Sequence, residues 1–261
     1  MKLKLALIGT GSIARYHVYP DGDPNKPLFP DGEAEYVAVM DIDGARAKAF
    51  AEQYRIPRYY TDYDALLTAE TPDIVCIATP PHLHTPQSIQ AMEHGAWVLC
   101  EKPLCASLRE FDALTATERR TGTFCSSIFQ YRFGGGNRHL KQIVDAKVAG
   151  DVLVGTCHTT WFRDAAYYAV AWRGTWKNEL GGPTMGHGIH AMDTFLWTMG
   201  DWEEVCALCG CLDRDLEVED TSTASVRFAS GAIGNILNSA LCPQQRTFVR
   251  YDFQHGSAWT S

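Results

Sequence analysis

Apolar runs and glycine-broken polar stretches alternate along the first half of the chain with a steady rhythm. Leu3-Lys4-Leu5-Ala6-Leu7-Ile8 is an apolar run that meets a turn at Gly9, and Glu35-Tyr36-Val37-Ala38-Val39-Met40 alternates before turning wholly apolar; both read as strands. The spacing then predicts a helix over 43–54, rich in the good helix formers Ala45, Ala47, Ala49 and Ala51, a short strand at Tyr59-Tyr60 and a short helix over 62–68. Residues 73–78 are almost entirely apolar, as a parallel strand covered on both faces should be. A helix over 82–94 is stopped by Gly95, a strand follows over 97–100, Ser107 caps a helix that runs through Arg120 to Gly122, and 124–129 completes the set. Strands alternating with helices in this way predict an α/β, doubly wound parallel sheet over residues 1–128.

After Gly134-Gly135-Gly136 the pattern changes. A helix over 137–149, a long strand over 152–162 and a helix over 189–199 are followed by strands over 204–211, 221–228, 232–238 and 246–253. Successive strands with no helix between them predict a large open, mainly antiparallel sheet, so residues 129–261 read as an α+β domain. Between the first helix and the second strand, the stretch from Tyr19 to Gly32 contains four prolines and cannot continue a helix, which makes it a loop insertion.

At 261 residues the chain is long enough for two domains with substantial cores. Its net charge of -8 argues against nucleic acid and anionic membrane as partners. No run of ~18 apolar residues is present, and Met1-Lys2-Leu3-Lys4 leads into a strand rather than a signal-peptide core, so a cytoplasmic protein is expected. The nine cysteines are odd in number and mostly lie in apolar runs such as Ile74-Val75-Cys76-Ile77, which predicts buried thiols and not disulfides. Cys206, Cys209 and Cys211 have metal-like spacing without a second pair; as a strand they would place Cys209 and Cys211 on one face and Cys206 on the other, and no metal is expected there.

Candidate chemistry starts at Gly9-Thr10-Gly11-Ser12-Ile13-Ala14, a GxGxxA turn entered directly from a strand. In a dinucleotide fingerprint Gly9 allows the tight turn, Gly11 lets backbone approach a pyrophosphate, and Ala14 permits close helix packing. Asp41 closes the second strand at the place of the acid that holds the ribose hydroxyls, and the loop insertion accounts for its extra distance. An acid there repels a 2′-phosphate, and the nearest arginine is Arg46, so NAD is expected in preference to NADP.

Cys100-Glu101-Lys102-Pro103-Leu104 lies just past a strand's carboxyl end, where open α/β sheets bind ligands. With the glycine turn, Ala78-Thr79-Pro80-Pro81-His82-Leu83-His84 and the change of pattern near residue 130, it resembles the glucose–fructose oxidoreductase/inositol dehydrogenase/rhizopine-catabolism (Gfo/Idh/MocA) family over essentially the whole chain. The resemblance implies a Rossmann domain in which Gly9, Thr10, Gly11, Ser12 and Ile13 hold the pyrophosphate and Asp41 the ribose. Thr79, Pro80 and His84 match the turn beneath the nicotinamide ribose, and Glu101 and Lys102 the EKP motif, with Lys102 touching cofactor and substrate. The signature helix of the second domain corresponds to residues 181–193, where His190 and Asp193 match but Gly186 replaces the usual aspartate, leaving Lys102 and His190 as catalytic residues and His187 as the candidate substitute.

Hydride transfer from a secondary alcohol needs a base for the hydroxyl proton and a cation for the developing alkoxide, roles that suit His190 and Lys102. His187 and His190 lie three apart, but apart from Asp193 no carboxylate or thiol at ligand spacing completes a metal site, and none is expected. Just before the signature, Trp161, Arg163, Tyr167, Tyr168, Trp172, Arg173, Trp176 and Lys177 form an aromatic and basic segment suited to a sugar ring. Arg173, Trp176, Lys177 and Asp193 are the expected substrate contacts. The expected activity is therefore that of an NAD-dependent dehydrogenase of a sugar or cyclitol, working as a homodimer or homotetramer through the second sheet. The resemblance also admits glycosidases that keep NAD bound and oxidise C3 transiently, and the fold admits a non-catalytic dinucleotide-binding regulator, which Gly186 encourages. Family members commonly run longer, so a terminal strand and helix are expected to be absent here.

Overall fold

A computed structural model describes residues 2–19, 29 and 32–260. The loop insertion lies outside the described residues except for Tyr19, Phe29 and Gly32. The chain divides into two compact units, Met1–Ile128 and Phe129–Ser261.

The first unit runs β1 (Leu3–Ile8), α1 (Ala14–Val18), β2 (Ala34–Met40), α2 (Gly44–Tyr54), β3 (Arg58–Tyr60), α3 (Tyr63–Glu70), β4 (Ile74–Ile77), α4 (His84–Glu93), β5 (Trp97–Cys100), α5 (Leu108–Thr121) and β6 (Cys125–Ser127). Its six strands are all parallel, in the order β3-β2-β1-β4-β5-β6, so the chain reverses its direction of progress between β1 and β4. Apolar side chains fill both faces of this sheet. Ala6, Ile8, Val75 and Ile77 belong to one core cluster, and Leu5, Leu7, Val39 and Cys76 to the other. The helix starts are set locally: the side chains of Asp43, Asp62 and Ser107 accept backbone N–H groups at the first turns of α2, α3 and α5. Gly122 ends α5 in the left-handed conformation. The last strand is shorter than the expected 124–129, because β6 pairs only with the four-residue β5 and the ladder stops at Cys100 opposite Ser127.

The second unit continues with α6 (Gly135–Asp145), β7 (Val152–Phe162), α7 (Ala165–Tyr168), α8 (Trp176–Glu179), a π-helical turn (Thr184–Gly188), α9 (Ile189–Met199), β8 (Trp202–Gly210), β9 (Thr221–Phe228), β10 (Ile233–Ser239), β11 (Leu241–Phe253) and β12 (Gly256–Thr260). The sheet order is β12-β11-β7-β10-β9-β8. Every pair is antiparallel except β7 with β10, because β7, separated from the later strands by α9, enters between β10 and β11. Helix α9 lays Ala191, Phe195 and Met199 on this sheet. Gly155 of β7 makes that approach possible, since a Cβ there would stand 2.6 Å from the Phe195 ring. Helix α6 starts and ends earlier than the expected 137–149, as Lys147 turns the chain with φ 49°.

All nine cysteines are free thiols, and Cys76, Cys100, Cys125 and Cys157 are buried. Cys206, Cys209 and Cys211 are exposed, and Cys211 lies past the end of β8, so the shared strand face expected for Cys209 and Cys211 does not form. Among the described residues, no cluster of three His, Cys, Asp or Glu side chains could hold a metal, and no helix is long and apolar enough to cross a membrane.

Candidate functional site

Four loops leave the carboxyl ends of β1, β2, β4 and β5 on one edge of the parallel sheet, beside the point where strand order reverses. Gly9, with φ 90°, donates its N–H to the Met40 carbonyl at 2.8 Å, and a Cβ there would fall 2.7 Å from the Ala78 carbonyl oxygen. A Cβ on Gly11 would meet nothing within 4 Å, so backbone is presented to open space at that point. Ser12 and Ile13 are exposed, no side chain caps α1, and Ala14 is fully buried beneath it. A tight turn, an uncovered backbone and an uncapped helix start fit the pyrophosphate of a dinucleotide.

Asp41 follows β2 and is only 5% exposed. Its Oδ2 accepts from Thr10 N at 2.9 Å and Thr10 Oγ1 at 2.6 Å, while Oδ1 accepts from Asp43 N at 3.0 Å and Arg46 Nη2 at 2.7 Å. Burial would raise its pKa, but the bonds from Thr10, Asp43 and Arg46 outweigh that and hold the carboxyl below its usual range. Four donors fill the acceptor positions of the carboxylate. A ribose diol therefore reaches Asp41 by displacing Arg46, whose side chain is 57% exposed and the easiest of the four to move. In the sequence Arg46 is only the arginine nearest to Asp41; its place five residues on, in the first turn of α2, is the signal of this contact.

The loops after β4 and β5 are joined through His84. Its ring, 1% exposed, contacts the Pro103 carbonyl through Nδ1 at 2.6 Å and the Thr79 carbonyl through Nε2 at 2.8 Å. Burial keeps its pKa low, against the pull of the two carbonyls. The packing of α4 draws His84 inward, where it holds the Thr79-Pro80 turn against the EKP loop. Thr79 Oγ1 is tied in turn to Gln87 Oε1 at 2.6 Å. Glu101 turns inward as well, and its Oε1 meets His17 Nε2 of α1 at 3.0 Å, with both side chains largely buried. Burial disfavours the charge on His17, yet the Cys76 and Glu101 partners outweigh it and raise the pKa to about 9. The helix after the glycine turn and the loop carrying Lys102 are thereby cross-linked within the first unit. Lys102, half-buried, follows directly and precedes the cis bond to Pro103.

In the second unit, His190 stands in the first turn of α9, half-buried, with its ring centroid 5.3 Å from that of Tyr131. Asp193, one turn on and an expected substrate contact, is held by Arg132 in a two-bond fork, Nε to Oδ2 and Nη2 to Oδ1, each 2.6 Å. The fork uses both carboxylate oxygens. Arg132 comes from the helical turn Gln130–Phe133, far from the signature in sequence, and no spacing pointed to it.

His187 lies in the π-helical turn and is 8% exposed. Its Nε2 accepts from Arg163 Nε at 3.3 Å and from the Tyr167 hydroxyl at 3.0 Å. An arginine only donates, so Nε2 carries a lone pair and the proton of the neutral ring sits on Nδ1. The histidine expected to take over acid–base work thus also fixes Arg163 and Tyr167. Beyond Tyr167 comes Arg173, whose guanidinium donates to the Tyr167 hydroxyl, lies 3.9 Å over its ring and reaches Glu179 Oε1 at 3.2 Å. Glu179 is 4% exposed, and burial raises its pKa despite the bonds from Gly174 N–H and Arg173. A Cβ on Gly186 would stand 3.6 Å from Glu179 Oε1, so a carboxylate neighbours the position where the signature usually has one. Of the other expected substrate contacts, Arg173 joins this cluster, whereas Trp176 and Lys177 are exposed and their side chains bond to none of its members among the described residues.

Residues 3–129 match a family described as "Oxidoreductase family, NAD-binding Rossmann fold", and residues 137–257 match the GFO/IDH/MocA C-terminal domain. The chain is similar to D-glucoside 3-dehydrogenase of Escherichia coli (strain K12), with 30% identity over 76% of this chain and 54% of that protein. It is 28% identical to D-xylose 1-dehydrogenase (NADP(+)) 2 of Haloferax volcanii over 94% of this chain and 72% of that one. Among solved structures, the WlbA dehydrogenase of Chromobacterium violaceum, in complex with NADH and UDP-GlcNAcA, superimposes with a TM-score of 0.91 at 30% identity, covering 99% of this chain and 73% of that one. The chain spans about half the length of the D-glucoside 3-dehydrogenase and of two further curated relatives.

Proposed function

Because the chain belongs to the Gfo/Idh/MocA family of oxidoreductases, we propose that it transfers hydride between a secondary alcohol of a sugar or cyclitol and a nicotinamide dinucleotide, NAD in preference to NADP. The observation that carries this reading is the glycine turn closed under Ala78, with Asp41 bonded to its Thr10. Nicotinamide, when bound, supplies the hydride acceptor. Gly9, Thr10, Gly11, Ser12 and Ile13 hold the pyrophosphate, Asp41 the ribose hydroxyls, and the Thr79-Pro80 turn, braced by His84, the second ribose. Lys102 stabilises the charge that grows on the alcohol oxygen. His190 takes the hydroxyl proton as the hydride leaves. Arg173 contacts the sugar.

Sugar chemistry is supported by the relatives, whose names include a D-glucoside 3-dehydrogenase and a D-xylose 1-dehydrogenase. We read the protein as cytoplasmic, and as a homodimer or homotetramer formed through the second sheet, whose edge strand β8 exposes Trp202, Val205 and Leu208. A scan of sugars and inositols for NADH absorbance, run with NAD and with NADP, tests the activity. Formation of NADH with at least one polyol is expected. Binding of NAD with no turnover on any member of the panel would overturn it.

A further inference from the structure

Among the described residues, the guanidinium of Arg163 meets a histidine, a backbone carbonyl and a side-chain amide. It follows the last residue of β7, and its backbone N–H donates to the Ala240 carbonyl at 2.9 Å. Its guanidinium donates to His187 Nε2, to the Phe162 carbonyl at 2.7 Å and to Gln245 Oε1 at 3.2 Å, with the Trp161 and Tyr167 rings 4.9 and 5.2 Å from its central carbon. Among the described residues no carboxylate pairs with it, and its Nη2 donates to no group. Arg132 and Arg173, in the same unit, each have a carboxylate partner.

A half-buried guanidinium without a counter-ion is costly, and a ligand anion offsets that cost. Two guanidiniums flank Tyr167, and only one of them, Arg173, pairs with a carboxylate, Glu179. Arg163 thus presents a planar donor edge with no carboxylate on it among the described residues, a geometry that suits a planar, singly charged acceptor. His187 connects this cation to the turn that leads into α9 and His190.

We infer that Arg163, oriented by His187 and Tyr167, binds a carboxylate carried by the sugar, so that the substrate class is sugar acids and not neutral sugars. The inference rests on the dehydrogenase reading for the identity of the ligand as a sugar, but the anion site can be tested apart from turnover. The test is calorimetric titration of the NADH-loaded full chain with D-glucuronate, D-glucose and D-glucose 6-phosphate, for the unmodified protein, Arg163→Met and Arg163→Lys, with the melting temperature of each variant recorded. Loss of a hydrogen-bonded charge pair changes affinity on the order of tenfold to a hundredfold, so glucuronate is expected to bind tighter than glucose by that factor. In Arg163→Met the ratio should collapse to within about twofold, and Arg163→Lys, which keeps the charge but loses the fork, should retain part of it. Equal binding of acid and neutral sugar, binding of neither, tighter binding of the phosphate, or a preference that survives in folded Arg163→Met each overturns the inference. NADH formation from neutral sugars without an acid preference removes the anion site and leaves the dehydrogenase reading standing. Preferential acid binding with no NADH formed from any sugar or sugar acid does the reverse.

Discussion

Arg46 Nη2 sits 2.7 Å from Asp41 Oδ1, so the acid at the tip of β2 is clasped by the first arginine of the helix that follows. On the proposed reading, the pair brings together an acid for ribose hydroxyls and a cation for a 2′-phosphate, the two kinds of side chain that discriminate between nicotinamide dinucleotides.

From that pair we expect Asp41→Ala to narrow the preference for NAD, and Arg46→Ala to widen it by releasing an acceptor position on Asp41 and removing the cation. Each change should shift the affinity ratio roughly tenfold, the worth of one hydrogen bond to a charged group. Fluorescence titration with NADH and NADPH measures both. Equal affinities in the unmodified protein would refute the role given to Asp41.

Lys102→Ala should lower kcat by roughly 10²–10³-fold, as loss of a preorganised charge at a developing oxyanion does, while NAD affinity stays close to normal. Steady-state kinetics beside equilibrium binding separates the two effects. A variant with near-normal kcat sinks the mechanism.

The two histidines should part company. His190→Ala is expected to reduce kcat by about 10²–10⁴-fold and to remove one limb of the kcat/KM pH profile. His187→Ala removes the acceptor that orients Arg163 and Tyr167, so its effect should fall mainly on KM, with the pH limb retained. Full activity in His190→Ala beside a dead His187→Ala would reverse the assignment.

The His17–Glu101 pair makes stability depend on pH. With its folded pKa raised to about 9, His17 contributes stability that is fully present below its ordinary pKa of 6.5 and is lost as pH rises through about 9. Glu101, whose pKa is lowered chiefly by His17 against the effect of burial, contributes above its ordinary range and loses that contribution in acid. The melting temperature should therefore fall between pH 7 and 9.5 more steeply in the unmodified protein than in His17→Gln. Parallel curves would show that the pair carries no such linkage.

Much of this molecule is written in short-range patterns. The strand–turn–helix at Gly9, the cap at Ser107, strand β7 and helix α9 all depend on residues within a few positions of one another, and each lies where the pattern puts it. The same holds for the cofactor edge, because in a doubly wound sheet the loops after β1, β2, β4 and β5 share one edge by connectivity alone.

What a side chain does once it arrives there is a different matter, since a carboxylate or an imidazole is satisfied by whichever partner the packing brings, however distant in sequence. Sequence alone determined the two-part α/β and α+β architecture, the dinucleotide turn and the positions of Lys102 and His190, because local hydrophobic period and backbone sterics act within single elements. Only the tertiary structure decided that Arg132 occupies Asp193, that Arg46 clasps Asp41, that His84 is a buried brace, and that His187 spends its nitrogen on Arg163 and Tyr167. Such hydrogen bonds and ion pairs form between elements whose neighbourhood is set by the sheet and its helices, and no spacing along the chain records them.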